Sequence, residues 1–181
     1  MKKIGLIVGS VRKASYNKKV AEVIKDLLSE KFEVEFIEIA NLPFYNEEFD
    51  EDPANLPSVV TEFRNKVKEQ DGIIFVTPEY NRSVPGVLKN AFDIGSRPYM
   101  DQAWINKHAA VVSASTGGFG AMRANYELRT SMFFSNMKIM GQPETMLANV
   151  KDNFDENGNA TERTIEFLKK FTDAFTQFIG E

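Results

Sequence analysis

Short apolar runs alternate along the chain with stretches in which apolar residues recur every three or four positions. The runs have the length of buried strands, and the recurring stretches have the spacing of one face of an α-helix. The predicted strands lie at 4–8, 34–39, 72–77, 109–114 and, as a broken fifth strand, at 137–140 with 144–147. The predicted helices lie around 20–28 and at 58–70, 84–93, 119–134 and 160–179, the last capped by Asn159 with Glu162.

Strands that alternate with helices predict a parallel sheet covered by helices on both faces. Residues 40–57 contain Pro43, Pro53 and Pro57 and are predicted to form a long loop. No repeat or linker divides the sequence, so we expect residues 1–181 to form a single domain. In such a sheet a ligand binds beyond the carboxyl ends of the strands. The loops after the first, third and fourth strands are therefore the candidates for chemistry.

Composition excludes several classes of site. The 181 residues include no cysteine and a single histidine, His108. There can be no disulfide, thiolate nucleophile or cysteine-bound metal, and one histidine argues against a His-rich metal site and a Ser-His-Asp triad. No metal site is expected, and redox chemistry would need a bound cofactor.

Charge and hydropathy narrow the choice of partners. The formal net charge is −4, whereas a dedicated nucleic-acid binder usually carries a basic surface. No stretch approaches the roughly 20 apolar residues of a membrane span, and the N-terminal apolar run is too short for a secretory signal. We expect a cytoplasmic protein that binds neither nucleic acid nor membranes.

The first candidate loop, residues 9–17, joins a buried strand to the start of a helix. Helix starts attract phosphate, because free N–H groups and the positive end of the helix dipole point there. Ser10 and Ser15 add hydroxyl groups, Arg12 adds a forked cation and Asn17 adds an amide donor. The loop is predicted to hold a terminal phosphate dianion; the alternative is that Ser15 only caps the helix and Arg12 is solvated.

Other phosphate-binding and phosphoryl-transfer motifs fit this sequence less well. The dinucleotide motif G-x-G-x-x-G is absent, since no glycine occurs between Gly9 and Gly72, and the Walker pattern is absent too. A low-molecular-weight phosphatase would need a cysteine nucleophile. A response-regulator receiver would need an aspartate at the end of the third strand, where this chain has Thr77-Pro78.

The other two loops carry weaker signals. In the second, residues 77–86, the aromatic ring of Tyr80 and the amide of Asn81 suit a flat heteroaromatic ligand. In the third, residues 113–123, small residues allow backbone N–H groups to approach a ligand. Each could equally be a structural turn or a helix entry.

Together the loops carry a family resemblance. The first reads Gly9-Ser10-x-Arg12-x-x-Ser15-x-Asn17, and the second continues as Pro78-Glu79-Tyr80-Asn81-x-Ser83-x-Pro85-Gly86-x-Leu88-Lys89-Asn90-Ala91-x-Asp93. In order and spacing, over nearly the whole chain, the sequence resembles the NADPH-dependent FMN reductase family, which includes quinone, azo-dye and chromate reductases. It departs from the family in the third loop, where Gly120-Ala121 replaces a pair of glycines before Arg123.

The resemblance implies a flavodoxin-like fold, a doubly wound five-stranded parallel sheet of order 2-1-3-4-5 with helices on both faces. It implies FMN as cofactor and NADPH or NADH as co-substrate. The implied FMN-binding residues are Ser10, Arg12, Ser15, Tyr16 and Asn17 around the phosphate, Pro78, Glu79, Tyr80 and Asn81 at the isoalloxazine, and Ser115, Thr116, Gly117 and Gly118 opposite. The segment 88–93 resembles the family's dimer-interface helix, which implies a homodimer or homotetramer.

The leading hypothesis is therefore an FMN-dependent NAD(P)H oxidoreductase. It would pass two electrons by ping-pong hydride transfer from NAD(P)H through FMN to a small-molecule acceptor: a quinone, azo dye, free flavin or metal oxyanion. Because the flavin carries the chemistry, no side chain is assigned a catalytic role. The alternative is a flavodoxin-like electron carrier, or a flavin-binding regulatory protein, without nicotinamide turnover.

Overall fold

A computed structural model describes residues 1–180. Its strands are β1 (Lys3–Val8), β2 (Glu33–Phe36), β3 (Gly72–Thr77), β4 (His108–Ala114), β5 (Lys138–Ile139) and β6 (Thr145–Leu147). Its α-helices are α1 (Tyr16–Leu28), α2 (Glu48–Glu51), α3 (Ser58–Glu69), α4 (Gly86–Gly95), α5 (Met122–Phe134) and α6 (Glu162–Gly180). Short 3-10 turns occur at Pro53–Asn55, Tyr99–Asp101 and Val150–Asn153.

The strands form one parallel sheet in the order β2-β1-β3-β4-β5, with β6 also paired to β4. The predicted order is confirmed. The fifth strand is broken as expected, because β5 pairs with the start of β4 at His108 and Ala109 whereas β6 pairs with its end at 112–114. All of these strands therefore direct their carboxyl ends to one edge, where the three candidate loops follow.

Alternate residues of the central strands enter two separate cores. Leu6 and Ile74 lie in a core with residues of α1 and α6 on one face. Ile7 and Phe75 lie in a core with residues of α3, α4 and α5 on the other. Burial on both faces explains why the sequence of these strands is apolar rather than alternating, and it fixes their register, since a slip of one residue would exchange the two faces.

Several predicted bounds differ from the structure; α4, for example, is predicted at 84–93 and runs from Gly86 to Gly95. β2 ends at Phe36 rather than at residue 39, although the backbone N–H of Ile37 still donates to the Leu6 carbonyl at 2.9 Å. The loop at 40–57 contains the short helix α2 and a 3-10 turn. The helix predicted from 119 begins at Met122, because Gly120 and Ala121 both have positive φ, 58° and 60°, and interrupt helical geometry before it.

The cap predicted for the last helix was also wrong. α6 begins at Glu162, and Thr161 supplies the cap: its Oγ1 accepts from the N–H of Thr164 at 3.4 Å, and its carbonyl accepts from Ile165. Asn159 lies in the preceding turn, where its N–H donates to Asp155 at 2.8 Å. Threonine and asparagine both cap helices well, so composition alone could not choose between them.

Trp104 anchors the core on the side of α4. Its indole is fully buried and stacks on Phe92 with 5.2 Å between ring centroids. Its Nε1–H donates to the Phe92 carbonyl at 2.8 Å. The ring can lie this close to the helix because residue 95 is glycine: a Cβ there would lie 2.6 Å from Trp104 Cζ2.

We predict that Gly95→Ala destabilises the protein by about 1–3 kcal/mol, the usual cost of overpacking a filled core. Gly86→Ala, at the other end of α4, is the matched control because nothing lies within 4 Å of the added methyl group. It should be neutral or slightly stabilising. Urea unfolding of the two variants tests this, and equal midpoints would contradict the packing argument.

Candidate functional site

The three candidate loops meet at the carboxyl edge of the sheet and line one cleft of about 180 Å³. Its lining residues are Ser10, Arg12, Ser15, Tyr16, Asn17, Pro78, Glu79, Tyr80, Ala114, Ser115, Thr116 and Val150. The cleft thus includes every residue predicted from the sequence except Asn81, Gly117 and Gly118. It also includes two that sequence reasoning missed, Ala114 and Val150.

The start of α1 forms one end of the cleft. Ser15 is the N-cap residue, and its Oγ accepts from the N–H of Lys18 at 3.2 Å. The hydroxyl group therefore caps the helix while keeping its own proton to donate. A helix leaves its first N–H groups without intrahelical acceptors, so this end of the cleft presents backbone donors and the positive end of a dipole.

Asn17 ties this helix start to the sheet. Its side-chain Nδ2 donates to the Ala114 carbonyl at the end of β4, at 3.2 Å. The residue is only 5% exposed, and its Oδ1 has no hydrogen-bond partner among residues 1–180. An unpaired buried oxygen costs roughly 1–3 kcal/mol, so the site calls for a ligand with a hydrogen-bond donor.

Arg12 supplies positive charge at the same end. Its side chain lines the cleft. Within the part of the chain that the structure describes, no carboxylate lies within 4.0 Å of its guanidinium group. Together with the hydroxyls of Ser10 and Ser15 and the N–H groups of α1, this donor set matches a phosphate group.

The second loop is held as a tight hairpin. Tyr80 and Ser83 exchange backbone hydrogen bonds of 3.1 and 3.0 Å. Asn81 and Arg82, between them, both have positive φ, 51° and 66°. Asn81 is not among the residues that line the cleft, and it occupies a left-handed turn position that asparagine tolerates well. Tyr80, 52% exposed, stands at the mouth of the cleft.

Glu79 joins the second loop to the third. Its carboxylate accepts from the backbone N–H groups of Arg123 at 2.9 Å and Ala124 at 3.3 Å, so it caps α5. It also lies 3.7 Å from the guanidinium group of Arg82. The helix receives no cap from Ala121, its own N-cap residue. Glu79 lines the cleft as predicted, but its charged group serves the helix.

The third loop is fixed at its base and open at its tip. Ser115 is bonded to Leu147 through its N–H at 3.1 Å and to Val150 through its carbonyl at 2.9 Å. The Gly117 carbonyl accepts a hydrogen bond from the N–H of Asn149 at 3.1 Å. At Gly118, no atom lies within 4 Å of the position that a Cβ would take. These bonds bring Val150 to the cleft from far along the chain, and no local sequence signal could have indicated it.

The segment 44–56 of the predicted long loop lies outside the cleft lining and packs against α4. It is acidic, with Glu47, Glu48, Asp50, Glu51 and Asp52. The N–H of Tyr45 donates to Asn90 Oδ1 at 2.8 Å, and Asn90 Nδ2 donates to the Pro43 carbonyl at 2.8 Å. The Tyr45 hydroxyl donates to Asp50 at 2.8 Å. Burial, reinforced by this bond, raises the pKa of Tyr45 to about 12, so its phenol stays protonated at neutral pH.

The described residues were also searched for metal-binding clusters and for membrane-spanning helices. Within residues 1–180, no group of three or more His, Cys, Asp or Glu side chains is arranged to hold a metal ion. Across the same residues, no helix has the length and apolar composition that a membrane crossing requires.

Comparison with known proteins identifies the family. Residues 2–152 match the model of the NADPH-dependent FMN reductases. A quinone reductase from Pseudomonas putida is 42% identical over 176 residues, which cover 97% of this chain and 94% of the relative. A 2-hydroxy-1,4-benzoquinone reductase from a Burkholderia species is 36% identical over 180 residues, 99% of this chain and 97% of that one.

The chain belongs to the NADPH-dependent FMN reductase family. Among solved structures, the flavoenzyme NAD(P)H:(acceptor) oxidoreductase FerB from Paracoccus denitrificans superposes with a TM-score of 0.91 at 34% identity, covering 99% of this chain and 98% of that one. A flavodoxin from an archaeon, with a TM-score of 0.63 and 13% identity over 100% of both chains, shares the fold alone. Membership of the FMN reductase family confirms the resemblance read from the loops.

Proposed function

We propose that the protein is an FMN-dependent NAD(P)H:quinone oxidoreductase whose FMN lies in the cleft between the three loops. The observation that carries this proposal is the convergence of a phosphate-type donor set, an unpaired buried amide oxygen and an exposed tyrosine in one cleft. The quinone substrates named for the relatives from Pseudomonas putida and Burkholderia support the choice of acceptor. We treat the chain as one FMN-binding domain.

The residues present fit FMN from its phosphate to its ring. Arg12, Ser10 and Ser15, with the first N–H groups of α1, would hold the phosphate. Asn17 Oδ1 would accept a hydrogen bond from a hydroxyl group of the ribityl chain, which removes the cost of leaving that oxygen unpaired. The cofactor would therefore supply the hydrogen-bond donor that Asn17 Oδ1 lacks in the folded chain.

The loops at the other end would hold the ring. Pro78 and Tyr80 line the cleft from the second loop, and Ser115 with Thr116 lines it from the third. Flat aromatic ligands bind well between such surfaces, with backbone N–H groups bonded to the ring edge. Asn81, Gly117 and Gly118 lie outside the cleft lining, and we keep their contacts with the ring, largely through backbone groups, as part of the proposal.

The chemistry itself would come from the cofactor, which would supply two-electron transfer between NAD(P)H and the acceptor. The protein would orient the cofactor, and Glu79 holds the start of α5 beside the cleft. Two-electron delivery to a quinone requires no acid or base on the protein, so we assign no catalytic residue. We extend the proposed acceptors to azo dyes, free flavin and metal oxyanions, and we place the reaction in the cytoplasm, where NAD(P)H is available.

We further propose that two copies associate through an aromatic groove between α4 and α5. The groove has a volume of about 500 Å³, and its lining includes Tyr45, Phe92, Tyr99 and Phe134. Phe134 is 71% exposed. Exposed apolar surface that is rimmed by polar residues is typical of protein–protein contact sites. It also carries charges of both signs on Lys89, Asp93 and Arg97, which suits a surface that meets its own copy across a two-fold axis.

The function is tested by anaerobic mixing. FMN-loaded protein should lose the flavin absorbance near about 450 nm on addition of NADPH or NADH and regain it on addition of 1,4-benzoquinone. Failure of both donors to bleach the flavin would reject the reductase. If a one-electron reduced flavin instead persists over a wide range of potential in a redox titration, the electron-carrier alternative is favoured.

Arg12→Ala should weaken FMN binding about 10- to 150-fold, the equivalent of about 1.5–3 kcal/mol for a hydrogen bond to a charged group. Riboflavin, which lacks the phosphate, is the internal control, and its affinity should change little. Quenching of flavin fluorescence measures both dissociation constants. An unchanged FMN affinity, or an equal loss for riboflavin, would show that Arg12 does not contact the phosphate.

Phe134→Asp should convert the dimer into single chains, because a charge in an apolar interface loses its hydration without gaining a partner. Ile165→Asp on α6, where the side chain is also exposed, is the matched control and should remain dimeric. Light scattering coupled to size exclusion gives the mass. A wild-type protein that elutes as a single chain at micromolar concentration, or identical behaviour of both variants, would contradict the proposed interface.

A further inference from the structure

Three polar side chains lie in a row between β4 and α5, behind the third loop. Ser113 belongs to β4, and Asn125 and Arg129 lie one turn apart on α5. Ser113 and Asn125 are fully buried, and Arg129 is half-buried. We call these three residues the β4–α5 network. None of the three lines the cleft, so direct contact with a ligand does not account for them.

The hydrogen bonds of the β4–α5 network all run in one direction. Arginine stays protonated in proteins and can only donate. Its Nε donates to Asn125 Oδ1 at 2.9 Å, and its Nη1 donates to the Met140 carbonyl at 2.8 Å. The amide oxygen of Asn125 must therefore face Arg129. Its Nδ2 then faces the sheet, where it donates to Ser113 Oγ at 3.2 Å and lies 3.5 Å from the Val111 carbonyl.

Ser113 transmits this order to the third loop. Its oxygen accepts the bond from Asn125, and its own proton goes to the Gly120 carbonyl at 2.7 Å. Gly120 is the last glycine before α5 and has a φ of 58°. A Cβ there would lie 3.0 Å from the carbonyl carbon of Met146, so the loop backbone packs directly on the backbone of β6. The network thus fixes the end of the third loop.

The start of the same loop is fixed by main-chain bonds. The N–H of Ser115 donates to the Leu147 carbonyl, and the Ser115 carbonyl accepts from Val150. Ser115 and Thr116, which line the cleft, therefore belong to a loop that is held at both ends. A loop with few conformations loses little entropy when it closes on a ligand.

We propose that Ser113, Asn125 and Arg129 are positioning residues for the flavin. They hold the third loop in the conformation that meets the isoalloxazine ring, and they do so without touching the cofactor. The inference rests on the proposed function, which places the ring in the cleft. Apolar residues of the same volume would usually stabilise a core as well as a buried charged group does, whereas a fully bonded polar network specifies a single arrangement.

Two variants interrupt the network at different points. Ser113→Ala removes the donor to Gly120. Asn125→Asp keeps the size of the side chain and its bond to Arg129, but a carboxylate cannot donate, so the serine proton turns to it and leaves the Gly120 carbonyl. Each variant should bind FMN about 3- to 10-fold more weakly, the equivalent of one hydrogen bond. Riboflavin should lose the same factor, because the phosphate end of the cleft is unchanged.

The double variant and a matched control sharpen the test. Since both changes remove the same bond to Gly120, Ser113→Ala combined with Asn125→Asp should lose no more flavin affinity than Ser113→Ala alone. Ser135→Ala removes a hydroxyl group that is also buried but has no hydrogen-bond partner in the described part of the chain. It should bind both flavins like the wild type. Quenching of flavin fluorescence measures every dissociation constant.

Hydrogen exchange in the flavin-free protein is the second readout. Backbone N–H groups at 115–121 should exchange faster in Ser113→Ala and in Asn125→Asp than in the wild type, while exchange at 9–17 stays the same. A general loss of stability would instead accelerate exchange in both loops. Should Asn125→Asp fail to fold, Ser113→Ala and its control decide alone.

The outcomes that contradict the network differ from those that contradict the reductase. Wild-type flavin affinity in Ser113→Ala, a loss confined to FMN, or equally accelerated exchange in the first and third loops would overturn the positioning role. If neither NADPH nor NADH reduces the bound flavin, the reductase is rejected, and the flavin affinities of the variants still decide the role of the network.

Discussion

A single buried amide connects the two halves of the site. Asn17 donates from the first turn of α1 to the carbonyl that ends β4, and so holds the phosphate end of the cleft against the third loop. That bond uses only the nitrogen of the side chain. The oxygen remains buried and has no hydrogen-bond partner within residues 1–180. The unpaired oxygen lowers the stability of the folded chain, and a ligand with a hydrogen-bond donor would remove that cost.

Glu79 makes the corresponding connection on the other side. Its carboxylate accepts from the first turn of α5, where Gly120 and Ala121, both at positive φ, provide no side-chain cap. Ala121 stands where the family has its second glycine, and it adopts a left-handed conformation. The start of α5 is stabilised by Glu79, which belongs to a different loop. This contact therefore joins loops two and three across the cleft.

The sequence indicates the candidate site because the signals for its loops are local. Buried strands are apolar whatever their partners, and Gly9-Ser10-x-Arg12 directly follows one of them. It could not indicate residues whose position depends on distant parts of the chain. Asn81 lies in the hairpin between Tyr80 and Ser83, outside the cleft lining, and its role at the cofactor stays a prediction. Val150 reaches the cleft only because its N–H bonds to the Ser115 carbonyl, a contact between residues far apart in sequence.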